Sequence, residues 1–420
     1  MIKYPSYLKK IFDKLHMSGA SCVIVGGYIR DNFLNIASKD IDIEVYNISS
    51  FDELEGLLTE FGSVNSFGKS FGVCKLRIKD LDIDFTLPRT DSKISSGHVG
   101  FDVKIQSNLN FITAASRRDF TINAIGYEVL NNKILDPFNG ISDLKNKILR
   151  AVDKNKFSDD PLRVLRAVQF CARFDLLMDN ELFKLCKEMI AHNILYELPK
   201  ERVFEEIKKL LLKSSKPSLG LELLKELGAI KYFSELGTLN NNDWIHTLQT
   251  VDEIAKQEIT NKSTKTVLML AGVCYKFDEI LTISFVSKLT NEKELLKRVL
   301  PLIHNHIKIK QSNAELFKLA TKVNIENFLI LKKAIYKNSN NGLYMACDEI
   351  NEQAKRLNIS NKKAVPFLRG RDILACGNVA SKEFSKILED AYEAQMNEEF
   401  SSYDEAHAWL KNHLAHFLFY

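Results

Sequence analysis

The chain has 420 residues, 45% hydrophobic and 27% charged, a balance that excludes a disordered or collagen-like polymer and predicts two to four domains. Its 58 basic and 54 acidic residues leave a net +4, too little for a histone-like charge blanket, although local basic patches stay open. The seven cysteines (22, 74, 171, 186, 274, 347 and 376) show no paired spacing, no run approaches the ~18 apolar residues of a membrane span, and the first residues do not read as a signal peptide, so neither a zinc site nor a disulfide framework is expected and the setting is reducing and cytoplasmic.

Helical periodicity predicts helices near residues 6–18, 28–36 and 51–61. Ser21-Cys22-Val23-Ile24-Val25 is short, apolar and β-branched, and predicts a strand ending on Gly26-Gly27. Ile41-Asp42-Ile43-Glu44-Val45 and Leu81-Asp82-Ile83-Asp84-Phe85 alternate with period two, which predicts half-buried strands with carboxylates on one face. Residues 121–128 predict one more strand, and after about residue 137 the strand signal fades. Pro161-Leu162-Arg163-Val164-Leu165-Arg166 opens a helix with proline in its first turn, where a missing N–H is harmless. Helical patterns then dominate, as in 203–212, 219–227 and 384–392, with turn signals at Ser214-Ser215-Lys216-Pro217 and Asn240-Asn241-Asn242. The expected architecture is a small α/β head followed by a long all-helical remainder, without internal repeats.

Asp40-Ile41-Asp42 would put two carboxylates on one strand face, two residues apart. Like charges that close repel, and a divalent cation between them relieves the repulsion. A third carboxylate from the second alternating strand, Asp84 or Asp82, would complete an oxygen cage for Mg²⁺. Gly26-Gly27 between a strand and a helix lets backbone N–H groups approach a polyphosphate, with Arg30 in reach of the same anion. Such a set implies metal-assisted phosphoryl or nucleotidyl transfer. Taken singly, Asp-x-Asp is more often the solvated face of an edge strand; the conjunction in this order is what carries the reading.

Arg117-Arg118-Asp119 precedes the strand expected at 121–128. Arginines there can grip triphosphate oxygens and Asp119 can accept from a ribose hydroxyl, although a surface ion pair is the commoner meaning. Asp160 and Arg163, three apart on a helix, share a face. One accepts and the other donates, as reading the edge of a nucleobase requires; the plain alternative is helix capping.

In sum the pattern resembles the class II tRNA nucleotidyltransferase and bacterial poly(A) polymerase family, whose five motifs are matched in order over roughly residues 22–210. They are Gly26-Gly27-Tyr28-Ile29-Arg30-Asp31 with Asp40-Ile41-Asp42; Arg117-Arg118-Asp119-Phe120-Thr121; Asp136-Pro137-Phe138-Asn139-Gly140 with Asp143-Leu144; Asp160-Pro161-Leu162-Arg163 with Arg166; and Glu201-Arg202-Val203-Phe204-Glu205-Glu206. The resemblance implies an α+β head of nucleotidyltransferase fold (1–137, a mixed sheet with helices), followed by an all-α neck (138–215), body (216–340) and tail (341–420). It implies that Asp40 and Asp42 hold two Mg²⁺ ions with Asp84, and that Gly27 and Arg30 touch the nucleotide. Arg118, with Arg117 beside it, would bind triphosphate and Asp119 the ribose. Asp160 and Arg163 would template C and A, with Arg166 lining the same pocket. The activity implied is addition of C, C and A to the 3′ end of tRNA from CTP and ATP, with no membrane and no protein partner. The alternatives are CC- or A-only addition, polyadenylation, or an RNA-binding protein that has lost catalysis.

Three departures bear on this. Asp159 stands where the family has Glu, and Gln169 where a further Arg is expected. The Gly-Arg-Arg-Phe-Arg signature of the polyadenylating members is replaced by Phe67-Gly68-Lys69-Ser70-Phe71-Gly72, which favours tRNA. Residues 87–101 resemble the family's flexible loop. Asn242-Asp243-Trp244-Ile245-His246 resembles the start of an HD phosphohydrolase domain, but Leu270-Ala271-Gly272-Val273-Cys274 lacks the His-Asp pair that should follow, so a degenerate HD-like body is expected. His304-Asn305-His306 has no nearby carboxylate to suggest a metal. Residues 301–340, with seven Lys against two Glu, and 131–175, with nine Lys or Arg against six Asp, are candidate RNA surfaces, the first equally readable as a solvated helix face, whereas 389–405 holds seven acids and no Lys or Arg. Residues 368–374 resemble the tail of the HD-fused members.

Overall fold

The strand signals near residues 21, 41 and 81 come together in one mixed sheet. The structure is a computed structural model and describes residues 2–38, 40–68, 72–78, 81–93, 101–376 and 384–417. The sheet is built from β1 (Ser21–Val25), β2 (Ile41–Tyr46), β3 (Ser63–Gly68), β4 (Val73–Ile78) and β5 (Leu81–Thr86). An antiparallel pair, β6 (Arg89–Lys93) and β7 (Phe101–Ile105), follows, and β8 (Gly126–Glu128) and β9 (Lys133–Leu135) return to the sheet. Its order is β3-β4-β5-β2-β1-β8-β9, with β2 and β5 parallel and the other neighbours antiparallel.

Period two decides which side of β2 is core. Ile43 and Val45 are 0% exposed and face away from Asp42, Glu44 and Tyr46. Helices α1 (Leu8–Met17), α2 (Gly27–Phe33) and α3 (Phe51–Thr59) pack on the strands, and α4 (Phe111–Ala115) closes a small core of Val23, Val25, Tyr46 and Ala114. Because α4 covers the Tyr46 side, the residues that follow it arrive over Glu44. After the sheet come α5 (Gly140–Lys145), α6 (Lys154–Phe157), α7 (Leu162–Phe174), α8 (Asn180–Ala191), α9 (Lys200–Lys213) and α10 (Pro217–Glu226).

The chain divides into two compact units, Met1–Ser234 and Glu235–Tyr420. The second is helical throughout its described residues. Its helix Lys262–Cys274 is buried at every position from Thr266 to Cys274, as a central helix should be. A separate apolar cluster, including Ile373, Ile387, Ala406 and Leu410, holds the last helices together. No helix among the described residues is long and apolar enough to cross a membrane.

Two expectations need correcting. The segment 121–128 is not one strand: Thr121–Asn123 forms a 3₁₀ turn and only Gly126–Glu128 joins the sheet. The turn spends its polar groups elsewhere, with Thr121 N donating to Arg150 O and its hydroxyl to Asp143. Gly140 lies against it so closely that a Cβ would stand 2.2 Å from Thr121 O. Asp40 also lies one residue before β2 and is exposed, not within the strand. Residues 69–71, and 94–100 of the 87–101 loop, lie outside the described residues, as does the Asp82 side chain.

Candidate active site

The C-terminal end of β1 is where the predicted groups meet. Asp42 is opposite Val25 on one side and in register with Asp84 of β5 on the other. Neighbouring strands in register project their side chains to the same face, so Asp42 and Asp84 stand side by side. Burial pushes the Asp42 carboxyl above its ordinary value; Arg118 pulls the other way, and the negative charges of Asp84, Asp40 and Glu44 add to the rise. Carboxylates that crowd each other in a half-buried site fit a divalent cation, whose charge would favour the ionised form of Asp42. Lys75 Nζ lies 3.2 Å from Asp84 Oδ1. Among the described residues no three His, Cys, Asp or Glu side chains converge closely enough to hold a metal, so Asp40, Asp42 and Asp84 do not form a closed cage in this conformation.

Gly26 turns the chain into α2 with φ +72°, a conformation suited to glycine. A Cβ there would lie 3.0 Å from Arg118 Nη1 and 3.4 Å from Asp42 Oδ2, so the missing side chain also admits the arginine. Arg118 Nη2 donates to Glu44 Oε1 at 2.8 Å, and Arg117 Nη2 donates to the same oxygen at 3.1 Å. Tyr46 donates its hydroxyl to Glu44 Oε2 at 2.7 Å. Glu44 is 0% exposed. Burial alone would raise its pKa, but Arg118 and Arg117 outweigh burial and hold it below the ordinary value. Sequence reasoning missed Glu44. The signal was there, since Asp40, Asp42 and Glu44 continue one alternation.

Arg30, expected to reach the nucleotide, is buried instead, at 5% exposure. Its Nε and Nη2 donate to Asp31 Oδ1 and its Nη1 donates to Asn123 Oδ1. The guanidinium lies 4.5 Å from the ring centre of Phe174 and 5.1 Å from that of Phe170. Three of its donors are engaged within the protein, and its Nη2 would lie 3.4 Å from a Cβ on Gly27. Asn123 passes the connection on, donating to Asp119 Oδ1, which also accepts from Phe120 N. Asp119 Oδ2 takes both Arg166 Nε at 2.7 Å and Arg166 Nη2 at 2.6 Å. Four donors fill the acceptor capacity of one carboxylate. A ribose hydroxyl would therefore meet Asp119 only if one donor moved aside. Burial would raise the Asp119 pKa, but Arg166 and Asn123 more than offset this and hold it low.

At the start of α7 the expected pair is engaged by different partners, Asp160 just before the helix and Arg163 in its first turn. Asp160 Oδ1 accepts from Leu162 N and its Oδ2 lies 3.4 Å from Arg202 Nη2 of α9. Arg163 donates to the carbonyls of Lys156 and Arg117, each at 2.8 Å. The helix that would read a base is thus tied by its own arginine to the Arg117-Arg118 segment. Gln169, one turn beyond Arg166, is buried, and its Oε1 has no hydrogen-bond partner among the described residues.

In the second unit, Asp243 is ion-paired to Lys276 at 2.7 Å and His246 is half-buried. The lysine-rich stretch 301–340 is largely neutralised. Lys308, Lys318, Lys333 and Lys337 pair with Glu315, Glu393, Asp348 and Glu253, and Lys332 is buried. That corrects the picture of an open +5 surface: the acids that balance it are mostly distant in sequence.

Residues 22–150 match the family described as Poly A polymerase head domain, and residues 175–238 that described as the probable RNA and SrmB-binding site of polymerase A. A "CCA-adding enzyme" of Actinobacillus succinogenes is 30% identical over 310 residues, covering 72% of this chain and 74% of the relative. A "Multifunctional CCA protein" of Mannheimia succiniciproducens is 31% identical over 274 residues, covering 62% of this chain. The chain spans 63% of the length of that relative and 52% of the Pseudoalteromonas atlantica one. Among solved structures, the Bacillus stearothermophilus CCA-adding enzyme in complex with CTP superposes with a TM-score of 0.73 at 19% identity, covering 98% of each chain. The Thermotoga maritima CCA-adding enzyme complexed with tRNA gives 0.62 at 18% identity, covering 98% of this chain and 97% of that one.

Proposed function

The chain belongs to the family of CCA-adding enzymes, and from that premise we propose that it adds C, C and A to the 3′ end of tRNA, with CTP and ATP as substrates. The observation that carries this is the in-register pair Asp42 and Asp84 beside Arg118 at the end of β1. The terminal ribose oxygen of the tRNA attacks the α-phosphorus in line, the bond to the β-phosphate oxygen breaks, and pyrophosphate leaves. A divalent cation, Mg²⁺, held by Asp42 and Asp84 with Asp40, would lower the pKa of the attacking hydroxyl and offset charge on the leaving group. Arg118 and Arg117 bind the triphosphate oxygens beside it, at the turn that Gly26 and Gly27 leave open. Asp119 takes the ribose hydroxyl, with Arg166 as the donor that yields. Asp160 and Arg163 read the base after Arg163 releases its two carbonyls.

We assign residues 1–137 as the catalytic head, 138–215 as the neck carrying the base-reading helix, 216–340 as an HD-like body without phosphohydrolase ligands, and 341–420 as the tail. The setting proposed is the cytoplasm. The experiment is extension of a tRNA that lacks its CCA end, with CTP alone, ATP alone and both. Two added residues with CTP, none with ATP and three with both are expected. A single A with ATP alone, an open-ended A tail, or no product contradicts the reading.

A further inference from the structure

We propose that Glu44 is a positioning residue that holds Arg117 and Arg118 as one clamp for the triphosphate of the incoming nucleotide; the inference rests on the nucleotidyl-transfer reading above. The carboxylate is wholly buried, and one of its oxygens accepts from both arginines while the other accepts from Tyr46. Both guanidinium cations meet the one carboxylate, and the negative charge of Asp42 acts on Arg118 as well. The cluster lies on the face of β2 that carries Asp42, two residues away. Arg118 commits only Nη2 to Glu44; its buried Nε has no hydrogen-bond partner among the described residues, and its Nη1 points into the space that Gly26 leaves free. An anion chelated to a cation on Asp42 and Asp84 would find those donors already aimed. Glu44 touches neither substrate nor reacting atoms, because it is closed off from solvent by the residues it orients.

The test uses the full-length chain, with inorganic tripolyphosphate in Mg²⁺ as the probe, read by calorimetry, alongside steady-state addition to tRNA. In Glu44→Gln the tripolyphosphate Kd and the KM for both CTP and ATP should rise about tenfold or more, with the KM for tRNA unchanged. A general loss of folded protein would lower kcat and leave every KM in place, so the split separates positioning from structural support. Tripolyphosphate affinity and nucleotide KM within about twofold of wild type, in a folded variant, overturn the proposal. Where Glu44→Gln does not fold, Tyr46→Phe decides. It removes one hydrogen bond to the same carboxylate and should weaken tripolyphosphate about two- to fivefold, and no change there overturns the proposal. A wild-type chain that binds tripolyphosphate in a Glu44-dependent way but adds no nucleotide leaves the clamp standing and removes the polymerising function.

Discussion

In the first unit buried charges come as linked sets. Asp31, Arg30, Asn123, Asp119, Arg166 and Glu206 form a chain of contacts in which directly bonded partners lie up to 93 residues apart in sequence. In the second unit Lys332, 3% exposed, donates one hydrogen bond to the carbonyl of Ile303 and otherwise lies against Phe328. The groups that face it are Cys347 and His306. The second unit answers other buried charges, as Glu235 with Lys288 and Ser284, so the contrast is between the linked set and the single Lys332. A network in which each charge is answered fixes side chains around a place where a charged ligand can enter, whereas an unanswered charge only subtracts from stability.

The largest way to break this contrast is Asp119→Asn. An amide would turn an N–H toward Arg166 or Asn123, and removing one partner of a buried pair costs about 3–5 kcal/mol. Urea unfolding at neutral pH checks it. The deficit should shrink in acid. Asp119 is held below its ordinary 3.8 in the fold, so its contribution is complete above that value and is lost as the pH falls through the lower folded value. A deficit that is absent at pH 7, or constant down to pH 2, would show that the network is not coupled.

Lys332→Met should act in the opposite direction. Burial lowers the Lys332 pKa from 10.5 to about 8. Between those values the unfolded chain holds a proton that the folded chain has released, so wild-type stability rises with pH across that window. Methionine removes this slope and should stabilise the chain by about 1–2 kcal/mol at pH 7, after the lost bond to Ile303 O is counted. A variant that is less stable at pH 7 would mean the lysine is answered after all. The smallest effect is expected at Lys333, whose pair with Asp348 is exposed. Lys333→Gln should change stability by less than about 0.5 kcal/mol, and a shift above 1 kcal/mol would place that pair among the linked ones.

Much of the first unit was legible because its signals are local. The alternation of 41–45 and 81–85, the Gly26-Gly27 break and the proline-led helix at 161 all reappear as elements. The strand Val73–Ile78, with Cys74 and Leu76 buried, also alternates and could have been read. What the sequence could not give was pairing. Nothing local says that Glu44 answers arginines 73 and 74 residues away, that Arg30 turns inward to Asn123, or that Arg163 is spent on Arg117. The lysine-rich 301–340 stretch misled for the same reason, since Glu253, Asp348 and Glu393 lie outside it.

The central claim is that Asp42 belongs to a nucleotidyl-transfer site and not to the support of the fold. Its most direct test is single-nucleotide addition from labelled CTP by wild type and Asp42→Asn on the same CCA-less tRNA, with melting temperatures recorded for both. Addition should fall by at least about 10²-fold, while the melting temperature holds or rises, because burial beside Asp84, Asp40 and Glu44 disfavours the Asp42 charge. Wild-type addition by a folded Asp42→Asn protein would contradict the account.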